Sequence, residues 1–161
     1  MTRNRNLLIA VAGLLTMGCG SDSTGPEGAG TPNSVANMVK ATINDTAFRA
    51  TTVIGRFRNG SLSITGVNGS RSVMITAGNL AGAGNYLLYA GNPYTGLATI
   101  IDGNSGQFST GYGGQGTLIL TIASPEHIRG NFRFTAYTSA GSGAGKPVAT
   151  AVDGVFDITV P

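Results

Sequence analysis

The sequence predicts an all-β protein, a single antiparallel β-sandwich or flattened barrel of about 8–10 strands. Three observations predict this fold. Apolar side chains recur at every second residue in short runs. Pairs of Asn, Asp and Gly separate these runs, as in tight turns between strands. After the N-terminal apolar segment, no window of about 11 residues keeps a helical period free of Gly.

The first predicted element is a β-hairpin. Residues 39–43 alternate apolar and polar side chains, Asn44-Asp45 marks a tight turn, and the alternation resumes over residues 48–54. Turn pairs such as Asn59-Gly60 separate the later runs. The last run is expected to break near Asp153-Gly154, where a Gly follows a turn-forming residue. The further predicted strands are 61–67, 72–77, 85–89, 97–102, 117–123, 128–137 and 148–160.

The alternation also predicts which face of the sheet is buried. About 125 residues of domain should bury roughly two-thirds of the surface of the unfolded chain, which is enough to fold without a metal or a disulfide. The predicted core is Val39, Ala41, Ile43, Phe48, Ile54, Leu62, Ile64, Val73, Ile75, Leu118, Leu120, Ile122, Ile128, Phe132, Phe134, Phe156, Ile158 and Val160.

Composition excludes several classes of function. The chain has 161 residues, which allows one domain, and it holds one Cys and one His. An intramolecular disulfide, a thiolate metal cluster and a site with several His ligands are therefore excluded. From Cys19 onward the chain has 8 basic and 7 acidic residues. This nearly balanced and scattered charge lacks the clustered basic face that nucleic-acid binding needs. We expect no cofactor and no metal.

The N-terminus has the features of an export signal. Arg3 and Arg5 precede an apolar segment over residues 7–15, which is far shorter than the ~20 residues that span a bilayer. The tetrapeptide 16–19, Thr-Met-Gly-Cys, resembles the lipobox of bacterial lipoproteins. That resemblance implies cleavage after residue 18 and attachment of a lipid to Cys19. The alternative is an ordinary signal peptide with a stray thiol.

Three segments follow from this interpretation. Residues 1–18 form the lipoprotein signal peptide, 19–35 carry the lipidated Cys19 and a flexible tether, and 36–161 form the all-β domain. The tether is dominated by Gly, Ser, Thr and Pro, which cannot bury enough apolar surface to offset the entropy of ordering. The membrane is an expected partner, to which the N-terminal lipid would attach the protein. Gly20, in the place of a retention Asp, implies by resemblance to lipoprotein sorting an outer-membrane location in the cell envelope.

The domain resembles an uncharacterised family of bacterial lipoproteins with an all-β domain of unknown function. The segments that carry the resemblance are 38–50, 127–138 and 152–160. In that family the first hairpin carries an aromatic residue, often Trp, where this chain has Phe48. A late strand reads Ile-x-Gly-x-Phe-x-Phe-x-Ala, and the final strand contains Gly-x-Phe. The resemblance implies a β-sandwich on a lipid anchor and no known activity. The matching positions are Ile128, Gly130, Phe132, Phe134, Ala136, Gly154 and Phe156.

No catalytic or metal-binding residue is predicted. His127 follows a turn and has only Glu126 beside it, which on a strand would point to the opposite side. Residues 102–106 begin like a calcium loop, but the fifth position is Gly106 and the twelfth is Gly113, so an Asp-Gly turn is favoured. The carboxylates that could supply a glycosidase pair are Asp45, Asp102, Glu126, Asp153 and Asp157.

Aromatic residues in glycine-rich loops are the best candidates for binding. The stretch 85–116 holds Tyr86, Tyr89, Tyr94, Phe108 and Tyr112, and Tyr94 and Tyr112 fall in predicted loops. Exposed aromatics on a rigid β scaffold bind sugar rings or protein partners. The alternative is tyrosines that pack within turns.

The predicted function is that of a membrane-anchored envelope lipoprotein without enzymatic activity, a structural or binding module with a glycan or protein partner. Two alternatives remain open. One is a hydrolase that cleaves an envelope polymer through a carboxylate pair. The other is a carrier that holds a small apolar ligand inside a barrel.

Overall fold

A computed structural model of the protein describes residues 37–91, 96–103, 105–140 and 148–160. The predictions for Cys19, for the tether and for Tyr94 lie outside these residues. Within them the fold class is confirmed, because eleven antiparallel strands form one curled sheet, a half-barrel. The strands are β1 (Met38–Ile43), β2 (Thr46–Arg49), β3 (Thr52–Arg58), β4 (Ser61–Asn68), β5 (Arg71–Ala77), β6 (Gly84–Leu88), β7 (Leu97–Asp102), β8 (Gly106–Ser109), β9 (Gln115–Ala123), β10 (His127–Tyr137) and β11 (Val148–Thr159).

The sheet has two halves that meet at the end of β10. The main path runs β2-β1-β11-β10-β8-β7-β5-β4-β3, and β9 pairs with both β10 and β6. We call β1, β9, β10 and β11 the bulged half and β3, β4, β5 and β7 the regular half. Tyr137 of β10 pairs with Ser109 of β8, and in the described chain this backbone pairing links β10, through β8, to the strands of the regular half. The described part of the chain holds no helix long and apolar enough to cross a bilayer.

The predicted hairpin turns are confirmed. Asn44 and Asp45 between β1 and β2 both have positive φ, 45° and 62°. Asn59 and Gly60 between β3 and β4 do the same, with φ of 49° and 71°. Positive φ at both central residues is typical of the two-residue turn whose twist matches that of paired strands, and Asn, Asp and Gly are the residues that tolerate it.

The predicted core is buried with three differences. Ile122 and Val160 are half-buried, and the prediction for Ile54 is wrong because its side chain is 65% exposed. Ala50 and Thr51 separate β2 from β3, and the alternation does not continue in phase across them. On β3 the inward positions are therefore Val53, Gly55 and Phe57, whereas Ile54 points to solvent.

The expected break near Asp153-Gly154 is a β-bulge within one continuous strand. On β10, Phe132 pairs with Gly154 and Phe134 with Ala151, so β11 contributes one extra residue. The pairing of β11 with β1 shifts at the same place. Asp153 sits in the bulge with a φ of 51°, a left-handed conformation that Asp adopts more readily than most residues.

Glycine lies opposite phenylalanine in three cross-strand pairs of the bulged half. At Gly130 and Gly154 the neighbouring ring occupies space that a Cβ would need, whereas a Cβ on Gly116 would meet Cβ of Phe134. A Cβ built on Gly154, for example, would lie 2.4 Å from the Phe132 ring. The rings of Phe132 and Phe156 stack with centroids 6.4 Å apart. The glycines and aromatics that the family resemblance singled out are therefore core positions. The pairs are Gly116 with Phe134, Gly130 with Phe156 and Gly154 with Phe132.

Candidate functional site

Three adjoining clefts form a groove on the outward face of β9, β10 and β11. The first cleft lies beside Gly113 and Gly114, and it shares Tyr89 and Gln115 with the second. The second has a volume of about 470 Å³ and shares Thr117 and Arg133 with the third, of about 530 Å³. We call this continuous depression the outer groove. Its lining includes Tyr89, Gln115, Thr117, Ile119, Asn131 and Arg133.

Strand alternation explains why these side chains face outward. On β9, Thr117 and Ile119 flank Leu118, which is buried in the core. On β10, Asn131 and Arg133 flank the buried Phe132. Successive side chains of a strand point to opposite faces, so the residues that fill the core also determine which neighbours line the groove.

The groove combines uncharged polar groups with exposed aliphatic surface. Gln115, Thr117 and Asn131 supply amides and a hydroxyl, which both donate and accept hydrogen bonds. Leu87 of β6 is 51% exposed in the second cleft, and Ile119 is 38% exposed in the third. Such a mixture is typical of sites that bind by shape and by a few polar contacts.

One cation and one anion line the groove. Arg133 borders the second and third clefts, and Asp153 of the bulge borders the third. Phe132 pairs with Gly154 and Phe134 with Ala151, so Arg133 lies across from the bulge residues Val152 and Asp153. Among the described residues, no salt bridge engages either charge. Both charged groups therefore remain available to a ligand, and together they leave the groove without net charge.

The aromatic stretch that the sequence singled out is only partly exposed. Tyr86 and Phe108 are buried, and the Tyr86 hydroxyl donates to the carbonyl oxygen of Gly82 at 2.8 Å. Tyr89 lines the groove. Tyr112 is exposed on a short 3₁₀ turn, next to Gly113 at the groove's first cleft. The predicted binding role of Tyr94 and Tyr112 stays a prediction, and Tyr94 lies outside the described residues.

His127 has a partner that the sequence did not reveal. Its Nε2 lies 2.7 Å from Oδ1 of Asp157 on β11, and Nε of Arg129 lies 3.5 Å from the other carboxylate oxygen. Ser124 is near in sequence, but its hydroxyl bonds to the backbone of His127 and not to the ring. The cluster holds two adjacent strands together. It lacks a nucleophile aimed at the imidazole, which general-base catalysis would require.

Asp102 closes a hairpin and pairs with an arginine. Ser105 donates its backbone N–H to the carbonyl of Asp102 across the β7–β8 turn. The carboxylate lies 3.3 Å from the guanidinium of Arg71. Across the described residues, no three or more His, Cys, Asp or Glu side chains come together as a metal site.

The separation of the β11 carboxylates bears on the hydrolase alternative. Asp153 and Asp157 are four residues apart on one strand, which corresponds to roughly 13 Å. Carboxyl pairs of glycosidases lie about 5–10 Å apart. In addition, Asp157 is engaged by His127 and Arg129. These two groups do not form the arrangement that such a reaction needs.

A comparison with protein families matches residues 36–159, which contain all eleven strands, to the model described as Domain of unknown function (DUF6252). No curated protein and no solved structure matches the chain. The expectation of an uncharacterised family is thereby confirmed, and its lipoprotein character stays a prediction.

Proposed function

We propose that this chain, which belongs to the DUF6252 family, is a lipid-anchored binding module of the cell envelope without enzymatic activity. The observation that carries the proposal is the outer groove, which is continuous over three clefts and free of catalytic side-chain arrangements in the residues described. A structural role without a ligand would need no such depression.

The packing of the domain favours surface binding over internal carriage. Large side chains of both halves fill the interior, among them Phe156, Ile64 and Leu118, each with less than 2% of its surface exposed. A carrier of an apolar ligand needs an enclosed cavity at that place. The groove instead lies on the opposite face of the sheet, open to solvent along its length.

The outer groove has one end on the side of the sheet opposite the start of the described chain. The described chain starts at Asn37, whose side chain accepts a hydrogen bond from the backbone of Thr159. That end of the sheet also holds the start of β10 and the end of β9. The first cleft, beside Gly113, lies beyond the other end of β9.

The anchor is tested by metabolic labelling with a palmitate analogue. The wild-type chain is expected to carry the label, and Cys19→Ser is expected to lose it, because the thiol is the attachment atom. Ser21→Ala is the control and should label like the wild type. An unlabelled wild type, or a fully labelled Cys19→Ser variant, would contradict lipidation.

Binding by the groove is tested with a matched pair of variants of the full chain in detergent. Ile119 in the groove and Met74 on the outer face of the regular half are both mid-strand and 38% exposed. Retention on immobilised envelope polymer is expected to fall at least tenfold for Ile119→Arg and to persist for Met74→Arg. Equal retention of both variants would rule out the groove as the binding surface.

A further inference from the structure

We infer that the outer groove binds a segment of an uncharged oligosaccharide, an assignment that rests on the proposed function and names its ligand class. Three features of the groove carry the inference. They are its balance of charge, the hydrogen-bonding chemistry of its polar side chains, and the complete pairing of the backbone of β9 and β10 beneath it. From Gln115 to Ile119 the groove follows about four residue steps of β9, or roughly 13 Å, and it continues past Gln115 to Gly113 and Gly114. A chain-like ligand fits that length better than a single compact molecule.

Charge complementarity favours a ligand without net charge. Arg133 and Asp153 line the same cleft and oppose each other in sign. A polyanion would be repelled by Asp153 and a polycation by Arg133. In each case this repulsion would offset the attraction to the other charged residue. The remaining groove-lining side chains in the described chain are uncharged.

The polar groups of the groove match sugar hydroxyls. Gln115, Thr117 and Asn131 each carry both donors and acceptors, as a hydroxyl-rich ligand does. Within the described chain no residue forms a hydrogen bond with these three side chains. Between them lie Leu87, Ile119 and the ring of Tyr89, which offer apolar contact to the C–H faces of pyranose rings.

The backbone beneath the groove disfavours an extended peptide. Peptides that lie along a sheet bind by adding a strand to a free edge. The groove instead lies over β9 and β10, and β9 is already paired with β6 on one side and β10 on the other. β10 is likewise paired with β11. Because the backbones of β9 and β10 are already paired, a ligand in the groove is bound by side chains. Such binding suits a ligand whose hydrogen bonds are made by hydroxyls.

The test is an NMR titration of the full chain in micelles with four probes. Two are uncharged, maltohexaose and the hexamer of N-acetylglucosamine. The others are a hexamer of galacturonate and an extended alanine-serine peptide. At least one uncharged hexasaccharide is expected to give saturable shifts at Thr117, Ile119 and Asn131. The galacturonate and the peptide are expected to leave these signals unchanged.

Matched variants locate the binding. Thr117 and Thr65 are both half-buried, mid-strand threonines on outer faces, the first in the groove and the second on the regular half. Thr117→Ala is expected to weaken hexasaccharide binding at least fivefold, and Thr65→Ala is expected to leave it unchanged. Dispersed amide spectra show that both variants fold. Binding unaffected by Thr117→Ala and by Ile119→Arg would overturn the assigned location.

The outcomes separate the ligand class from the proposed function. Shifts in the groove with galacturonate or the peptide alone would overturn the uncharged oligosaccharide and leave groove binding in place. If no probe shifts the groove while Ile119→Arg still abolishes retention on envelope polymer, the ligand class fails by itself. If that retention is also insensitive to Ile119→Arg, both proposals fail.

Discussion

The two halves of the sheet differ in the regularity of their strand pairing and in the side chains that fill their buried faces. In the regular half, the pairs β3–β4, β4–β5 and β5–β7 run in unbroken register, and the inward side chains are aliphatic, such as Ile64, Val73 and Ile75. In the bulged half, the pairs β1–β11, β10–β11 and β9–β10 each contain a register shift. A β-bulge bends its strand and increases the local twist, so curvature is concentrated where the shifts are.

The difference in core residues accompanies the difference in curvature. In the bulged half each phenylalanine of β10 and β11 pairs with a glycine on the neighbouring strand. Gly130 is the tightest case, because a Cβ there would lie 2.0 Å from the carbonyl oxygen of Ile119. The two clefts of larger volume in the outer groove lie on this half. The comparison teaches that the irregular pairing of these strands accompanies a run of adjoining clefts on their outer face, whereas the clefts beside β3 and β4 share no lining residue with that groove.

The largest expected effect comes from adding one methyl group at the tightest point of the bulged half. Gly130→Ala should lower the free energy of unfolding by at least about 3 kcal/mol or prevent folding, because the clash is with backbone that cannot rotate away. Urea denaturation measures it. Gly111→Ala is the control, since its Cβ would have its nearest contact, the Ser109 hydroxyl, at 3.3 Å. Equal stability of the two variants would show that close packing at Gly130 does not contribute to the free energy of unfolding.

A double-mutant cycle tests whether glycine and phenylalanine act as a pair. Gly154→Ala alone should cost about 2 kcal/mol, because the new Cβ would meet the Phe132 ring. Phe132→Leu removes the ring, so the double variant should be more stable than the two single effects predict by about 1 kcal/mol. Gly66→Ala, in the regular half and facing Val39, should add to Phe132→Leu without coupling. Additivity in both cycles would contradict the pairing.

The smallest expected effect concerns the bulge itself. Asp153 has a φ of 51°, which costs a β-branched residue about 1–2 kcal/mol. Asp153→Val should therefore lower the free energy of unfolding by that amount, whereas Asp153→Gly should leave it unchanged or raise it slightly. Thermal unfolding distinguishes the two variants. A Val variant as stable as the Gly variant would mean that the bulge shifts to another residue.

Local patterns predicted most strands and turns of the described chain. The Asn44-Asp45 turn and the buried positions of β4 and β5 could be predicted because they depend on neighbouring residues only. Ile54 could not, because the alternation changes phase where the chain passes from β2 to β3 through Ala50 and Thr51, which bond to Val39 and Val67 on different strands. Of the tyrosines that the sequence singled out, Tyr89 lines the groove. The burial of Tyr86 could not be predicted, because it depends on which strand covers its side chain.

The sequence by itself determined the fold class, the alternation that divides core from surface, and the glycines and aromatics of the late strands. The tertiary structure decided where the bulges fall, which placed Asp153 and Arg133 in one cleft and turned the expected break of β11 into a bend. It also paired His127 with Asp157, thirty residues away. The physical reason is that periodicity is a local property of the chain, whereas curvature and side-chain pairing depend on the register between strands that are distant in sequence.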